Sequence, residues 1–503
     1  MEVELKLLLD AVDFARIGRT GTVSRARRGR GRYGTLHTIY YDTPEQLLRR
    51  NRVVLRLRRS GRRWIQTVKG AGGEIGGLHR REEIEWSVPA GELNLELLAD
   101  TPFAKLFSRT KIRTRLAPAF ATVFRRRSIE LQLQDGATAW LCLDKGEIQA
   151  GAVSDPICEA EIELVLGDAV ALLDFAGSLL GEIPFRVGTQ SNAERGYALA
   201  ALNAGAVPGP VRAQQVAMTV SADAREAFSA IIEATSAQFH ANEQGFIGQD
   251  DPEYLHQLRV GLRRLRVALA LPREEEWENA SRPLRVRLRE LSRHLGEARN
   301  WDVFIHEMLQ PMSAHCGAKF VAGLRRRAAR RRAAALGAAR EAIQSRGTTQ
   351  LWLDLARLVA GWRAGSGTGH YAREMATEAV TRRFRRLTEF AAKGHGGENL
   401  HELRITAKKL RYVCEFFAGL YPRKKVKRFL AELTELQDTL GLINDAAIGQ
   451  ALVARVGEGA RPLDAHIRGF ASGWIAAGRA RALRGIEQAV KAPLEAGVFW
   501  KQT

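Results

Sequence analysis

The chain is poor in the features that mark secreted or membrane-embedded proteins. Its four cysteines, Cys142, Cys158, Cys316 and Cys414, form no Cys-x-x-Cys pair, so neither a disulfide framework nor a thiolate zinc site is expected. No uncharged run reaches the roughly 18 residues of a bilayer-crossing helix, and no basic segment followed by an apolar one opens the sequence. A cytoplasmic location is therefore expected. Acidic side chains are also in deficit: 56 Asp+Glu face 77 Lys+Arg, a formal net charge of +21. So basic a chain suits a polyanionic partner, whether nucleic acid, anionic lipid or polymeric phosphate. At 503 residues it should form two or three domains.

What is present divides in two. Period-two or β-rich runs occur at 2–9, 37–42, 53–59, 63–69, 82–88, 121–133, 138–144 and 158–166, separated by turn material such as Gly70-Ala71-Gly72-Gly73 and Asp135-Gly136. A Pro/Gly-rich segment, Asn203 to Pro210, reads as a linker. Beyond it the chain turns to Ala/Leu/Arg/Glu with 3.6-residue periodicity, which predicts helices. These helices repeat. His256-Gln-Leu-Arg259-Val-Gly-Leu-Arg263-Arg264-Leu-Arg266 returns 145 residues later as His401-Glu-Leu-Arg404-Ile-Thr-Ala-Lys408-Lys409-Leu-Arg411. Leu288, Leu291 and Leu295-Gly296 match Leu433, Leu436 and Leu440-Gly441 in the same register, which predicts two copies of one helical bundle. The expected division is residues 1–205, a linker at 206–218, and a helical domain at 219–500 with halves of about 219–365 and 366–500.

The early strands carry charge on one face. Glu2, Glu4 and Lys6 alternate with Val3, Leu5 and Leu7; Arg56 and Arg58 alternate with Leu55 and Leu57; Glu159, Glu161 and Glu163 alternate with Ala160, Ile162 and Leu164. One such strand would be a solvated sheet face. Five in one domain fit a closed sheet with charge inside and apolar faces outward, covered by helices such as 169–181. Carboxylates are hard oxygen ligands for Mg²⁺ or Mn²⁺, and arginine or lysine neutralises phosphate, so such a lumen suits a metal-chelated polyphosphate.

Glu2-x-Glu4-x-Lys6 resembles the signature of the CYTH superfamily, the triphosphate tunnel metalloenzymes. The likeness runs in order through Tyr40-Tyr-Asp42-Thr-Pro, Leu55-Arg56-x-Arg58, Thr67-x-Lys69-Gly, Gly76-Gly-Leu-His-x-Arg81-x-Glu83, Asp144-x-Gly146, Glu159-x-Glu161-x-Glu163 and Ser191-x-Ala-x-Arg195-Gly-Tyr. It implies an N-terminal antiparallel eight-stranded β tunnel with flanking helices, which together with the all-α C-terminal domain expected from the periodicity makes the fold class α+β. By position, it implies metal held by Glu2, Glu4, Asp144, Glu161 and Glu163, with Glu159 as a sixth candidate. Lys6, Arg56, Arg58, Lys69, Arg81 and Arg126 would grip phosphate, and Glu2, Glu4 and Lys6 are the candidate catalytic groups. Asn192 stands where the family usually has lysine, one phosphate contact fewer. In-line attack by a metal-associated water is the expected chemistry, since no Ser, Cys or His is placed as a nucleophile.

On the repeated helix, His256, Arg259, Arg263 and Arg266 fall within a wedge of about 80° over a rise of about 15 Å, flanking a Leu255/Leu258/Leu262/Leu265/Leu269 stripe. The second copy does the same with His401, Arg404, Lys408 and Arg411. Retention in both copies favours a shared binding face over a solvated one. The helices, with Leu295-Gly-x-x-Arg299-x-x-Asp302 and Leu436-Gln-Asp-x-Leu-Gly441-x-x-Asn444-Asp445, resemble the CHAD domain over about 220–495. That resemblance implies non-catalytic binding of inorganic polyphosphate by His256, Arg259, Arg263, Arg264, Arg266, Arg299, His401, Arg404, Lys408, Lys409 and Arg411, and association with polyphosphate granules. The order of the two domains resembles bacterial inorganic triphosphatases. Nucleic acid ranks below polyphosphate, because no aromatic platform accompanies Arg325-Arg-Arg327 or Arg330-Arg-Arg332. An organic triphosphate (thiamine triphosphate, or ATP with cyclisation) and a non-enzymatic scaffold are the alternatives.

Overall fold

A computed structural model describes residues 1–70, 72–89, 91–206, 208–365, 371–394, 396–457 and 463–500. Ala71 in the glycine-rich turn, Val207 in the Pro/Gly segment and the first residues of the expected second helical half, 366–370, lie outside them. The chain divides into two compact units, residues 1–209 with 344–364, and residues 210–343 with 365–503.

The first unit is built on one antiparallel sheet of eleven strands: β1 Glu2–Leu8, β2 Arg27–Asp42, β3 Val54–Ser60, β4 Arg63–Lys69, β5 Gly73–Ile75, β6 Leu78–Arg81, β7 Glu83–Val88, β8 Ala117–Gln132, β9 Thr138–Ala150, β10 Val153–Leu166 and β11 Arg186–Val187. The order is β5-β6-β1-β10-β9-β8-β2-β3-β4-β7, with β11 beside β1. The expected count of eight strands is thus corrected. Short β5 and β11 add edges, the expected strand at 82–88 is β7, and a further strand, β6, precedes it with Glu82 between the two. β6 pairs with β1 (Glu2 opposite Arg81) and β7 with β4 (Lys69 opposite Glu83), so this one stretch joins both ends of the run. β2 begins ten residues ahead of its expected start at 37, because Gly29, Gly31 and Gly34 interrupt the side-chain alternation that would have shown it and the register slips between Arg28 and Arg32.

The charged and apolar faces separate as the alternation requires. Leu5 and Leu7 are buried on one face of β1, Glu4 and Lys6 on the other. The helix Ala169–Glu182, capped by Asp168 and burying Leu172, Phe175, Ala176 and Leu179, covers the outside of the sheet. A second cover comes from far along the chain. The helix Arg346–Ala364 packs against Ala169–Glu182, β11 and β5, with Thr349 Oγ1 donating to Phe185 O at 3.0 Å and Arg357 paired to Asp174 at 2.5 Å. Gly76 (φ +58°) meets it so closely that a Cβ there would lie 2.3 Å from Trp352 O. The expected helical half ending at about 365 therefore gives its last helix to the β unit, because Leu353, Ala356 and Ala360 make an apolar face for it.

The second unit is helical, with helices Ala224–Gly248, Pro252–Ala268, Glu275–Val303, Ala318–Gln344, Ala372–Ala391, Gly397–Phe416, Arg423–Gly457, Leu463–Arg484 and Ile486–Glu495 as its main elements. Leu255, Leu258, Leu262, Leu265 and Leu269 are all buried, as are Leu400, Leu403 and Leu410 of the second copy. The Pro/Gly segment is tied down at its far end, where Val211 exchanges two 2.9 Å hydrogen bonds with the Asn242 amide.

Candidate active site and basic helical face

Solvent reaches the charged lumen from one side. Along β10 the carboxylate side chains go from 0% exposed at Glu159 to 8% at Glu161 and 31% at Glu163, and across the lumen from 13% at Glu83 to 44% at Glu85. The other side is filled by the helix Asn192–Asn203, whose Ala193, Tyr197 and Leu199 pack among Tyr40, Phe120, Phe124, Ile148 and Ile157. Gly196 permits this approach, since a Cβ there would lie 2.1 Å from the Phe120 ring. The lumen is a cup, with its mouth at Glu163 and Glu85.

Acids and bases inside it are interleaved. Lys6 Nζ lies 2.9 Å from both Glu159 and Glu161. Arg126 donates Nε and Nη2 to Asp144 at 2.8 and 2.6 Å, Nη2 to Glu161 at 2.5 Å and Nη1 to Glu163 at 2.8 Å. Lys69 bridges Glu2 (2.6 Å) and Glu83 (3.0 Å), and Arg56 reaches Glu83 at 3.0 Å. Arg58 is different. It makes no ion pair or hydrogen bond among the described residues, and burial beside Arg56 and Arg126 holds it below the usual arginine value.

Two sets of carboxylates come close enough to share a cation, Glu4/Glu161/Glu163 and Asp144/Glu159/Glu161, each with oxygens within 4.8 Å of one another. Glu2 belongs to neither and sits with Lys69 instead. Burial and the neighbouring Glu161 and Glu2 carboxylates push Glu4 up to about 7. Burial works against ionised Glu161 also, but Lys6 and Arg126 outweigh it and hold that group low. Burial opposes the Lys6 charge, and Glu159, Glu161 and Glu4 override it, so its ammonium is held above the ordinary value. A buried hard-oxygen donor set whose members repel one another fits a divalent cation.

Three contributors lay outside the sequence-based set. Glu83 joins Arg56 to Lys69; Arg195 joins the blocking helix to the lumen through Glu159 (3.2 Å) and Asp155 (2.6 Å); His79 is fully buried beneath Arg81. The His79 ring donates from Nε2 to Gly188 O (2.9 Å), which leaves Nδ1 to accept from Arg81 Nη2 (3.1 Å). Burial beside Arg81 pushes this imidazole down to about 3, so it stays neutral. Gly188 is pinned in turn: its N–H donates to Lys6 O at 2.8 Å, and a Cβ there would stand 2.4 Å from Lys6 Cγ. The signal was the Gly76-Gly-Leu-His-x-Arg81 string, but only tertiary contact with Gly188 reveals what the histidine does. Asn192 Oδ1 is buried with no hydrogen-bond partner among the described residues.

In the helical unit the two basic stripes meet. Arg259 lies among Arg263, Arg299 and Arg404, and burial with these like charges pushes it down to about 9. Its Nη1 donates to Leu295 O at 3.0 Å, where Gly296 leaves room for the guanidinium. Burial, then Arg263 and Arg404, push Lys408 down to about 6 against the opposing pull of Asp445. His256 is pushed to about 4 by burial and Arg299. Arg299 itself pairs with Glu307 at 3.0 Å. Not every expected residue joins this group. Arg264 turns inward, over the Phe416 ring at 5.0 Å and paired with Glu415, because it sits on the buried side of its helix. Arg411 also pairs with Glu415, at 3.3 Å, while His401 and Lys409 are exposed.

Comparison with known proteins assigns both units. The CYTH domain profile matches residues 1–197 and the CHAD domain profile residues 230–454. The crystal structure of the CHAD domain from the plant Ricinus communis is 30% identical, with a TM-score of 0.51, over 56% of this chain and 97% of that one. This chain belongs to the CYTH and CHAD families. A Haemophilus influenzae protein named inorganic triphosphatase is 34% identical to it over 169 residues, 33% of this CYTH–CHAD chain and 46% of that protein, so the match spans about half of that relative. Among the described residues no helix is long and apolar enough to cross a membrane.

Proposed function

We propose that the CYTH domain, a closed eight-stranded tunnel when β6 and β7 are counted as one strand and the short β5 and β11 are left out, hydrolyses inorganic triphosphate with Mg²⁺ or Mn²⁺, and that the CHAD domain binds inorganic polyphosphate. The observation that carries the first half is the lumen itself, where Arg58 is left unpaired beside two carboxylate sets in a cup with one mouth. Arg56, Arg58, Lys69, Arg81 and Arg126 would take the phosphate oxygens, Arg58 without having to leave an acid. Glu4, Asp144, Glu159, Glu161 and Glu163 would hold the cation, and Glu2 would serve by orienting Lys69. A bound divalent ion supplies Lewis-acid charge neutralisation and lowers the pKa of a bound water. Lys6, kept protonated by its carboxylates, donates to the attacking or leaving oxygen. The apolar plug of Tyr40, Phe120, Tyr197 and Ile148 keeps bulk water from the closed end. The Haemophilus relative's name supports the inorganic substrate.

The second half is supported by Arg259, Arg263, Arg404 and Lys408, like charges gathered at real electrostatic cost, which a polyanion relieves. Granule association would follow from that binding. Phosphate release from tripolyphosphate, ATP and thiamine triphosphate, with Mg²⁺, Mn²⁺ or EDTA, tests the tunnel. Metal-dependent release from tripolyphosphate above the other two is expected. Preferential release from either organic substrate would overturn the inorganic assignment, and no release at all would leave a binding scaffold.

A further inference from the structure

Beyond the meeting of the two stripes lies a second uncompensated group of cations. Arg266, about one turn after Arg263 on the helix Pro252–Ala268, lies beside Arg289 of Glu275–Val303, and burial with these like charges lowers it. Lys409, on Gly397–Phe416, faces Arg266 from one side and Arg383 and Arg386 of Ala372–Ala391 from the other, with the Glu402 carboxylate also beside it. Arg383 is half-buried; its Nε is sealed from solvent without a hydrogen-bond partner, and burial with Arg382 and Arg386 pushes it down to about 10.

Neighbours on the same helix show that the lack of partners is selective. Arg382 pairs with Glu378 at 3.3 Å and Arg385 with Glu389 at 3.7 Å. Arg383 and Arg386, on the side facing Lys409, make no ion pair among the described residues, and neither do Arg266 and Arg289. An ordinary solvated face interleaves acids with bases at helical spacing. Here one flank of the helix pairs its cations with acids and the other leaves them unpaired, as an anion-binding surface requires.

We propose that this group extends the anion path, so that a linear polyphosphate lying over Arg259, Arg263 and Lys408 continues across Arg266 to Lys409, Arg383 and Arg386. The inference rests on the reading of the CHAD domain as a polyphosphate binder. His256 to Arg266 covers about 15 Å of helix, and each neighbouring helix adds about 8–10 Å across. A short chain covers only the stripes, while a longer one reaches the outer group and gains affinity from it. Polyphosphate is favoured over single-stranded nucleic acid because the path offers guanidinium and ammonium groups, and rings beside it are already covered by arginine, Phe390 by Arg386 at 5.7 Å and Tyr412 by Arg411 at 5.5 Å.

The test is titration of the full-length protein with short-chain and long-chain polyphosphate, and with single-stranded DNA of matched charge, against rising NaCl. For Arg383→Gln/Arg386→Gln, the long-chain advantage should shrink by about tenfold and the log–log salt slope should fall by about 1.5, on the scale known for single-stranded nucleic acid. Arg383→Lys/Arg386→Lys should restore most of the advantage, which a purely structural role would not predict, and circular dichroism checks the fold. An unchanged long-chain advantage in the glutamine variant overturns the extended path while leaving the stripes as the site. A wild-type protein that binds neither chain length overturns the polyphosphate reading itself, and this inference with it. Tighter binding of the DNA than of polyphosphate overturns the choice of ligand.

Discussion

Cutting the chain after residue 209 keeps every strand of the sheet yet removes Gln344–Ala364, the part of the first unit that returns from later in the sequence. The loss can be sized. Leu353 is fully buried at the centre of the helix face that carries Thr349, Ala356 and Ala360, and burying one leucine is worth about 1.5–3 kcal/mol. The two alanine methyls add about 0.8 kcal/mol each, and the Thr349 hydrogen bond to Phe185 O about 1 kcal/mol. Together these come to roughly 4–6 kcal/mol, a large part of the 5–15 kcal/mol that holds a typical domain. The fragment should therefore melt far below the intact protein or aggregate through the uncovered Ala169–Glu182 face, and its triphosphatase activity should fall with the folded fraction. Grafting 344–364 onto its end through a flexible linker should restore both. Thermal unfolding and phosphate release from the three proteins, side by side, make the assay. If the bare fragment melts within a few degrees of the grafted one, the helix contributes little and the reasoning fails.

Glu4→Gln should keep the fold and abolish metal-dependent turnover, since the shape is retained and a cation ligand lost; wild-type rates in a correctly folded variant would refute the lumen as the active site. His79→Ala should raise KM for tripolyphosphate roughly 10- to 100-fold, the scale of a hydrogen bond to a charged group, with a smaller change in kcat. His79→Asn, which keeps an acceptor for Arg81, should recover part of that, and equal defects in both variants would make His79 purely structural. Lys408 is pushed down to about 6, whereas an unfolded lysine titrates near 10.4. Between these values the unfolded chain holds a proton that the folded one lacks, so Lys408 makes stability rise with pH across that window and fall as pH drops to about 6. Polyphosphate binding at pH 8 should accordingly take up a proton, read by calorimetry in buffers of unlike ionisation enthalpy; undiminished uptake in Lys408→Gln would assign it elsewhere.

Both families, the charged strand faces and the doubled basic stripe follow from the sequence alone. Period-two alternation puts Glu2, Glu4 and Lys6 on one face whatever the partners are, and a 3.6-residue period likewise puts Arg259 and Arg263 beside the leucine stripe. These are local properties, set by backbone geometry. What a residue does when two local rules compete is not local. Arg264 carries the same charge as Arg263 one position away, yet its side of the helix is the buried one, and Glu415, 151 residues on, takes its charge. His79 reads as one residue of a motif until Gly188, distant in sequence, fixes its tautomer and so the aim of Arg81. The helix Arg346–Ala364 shares the 3.6-residue period of its helical neighbours, and only the apolar exterior of the sheet decides that it belongs to the other unit. Burial is a property of the assembled chain: sequence determined which faces were apolar or charged, and tertiary structure decided which of them met.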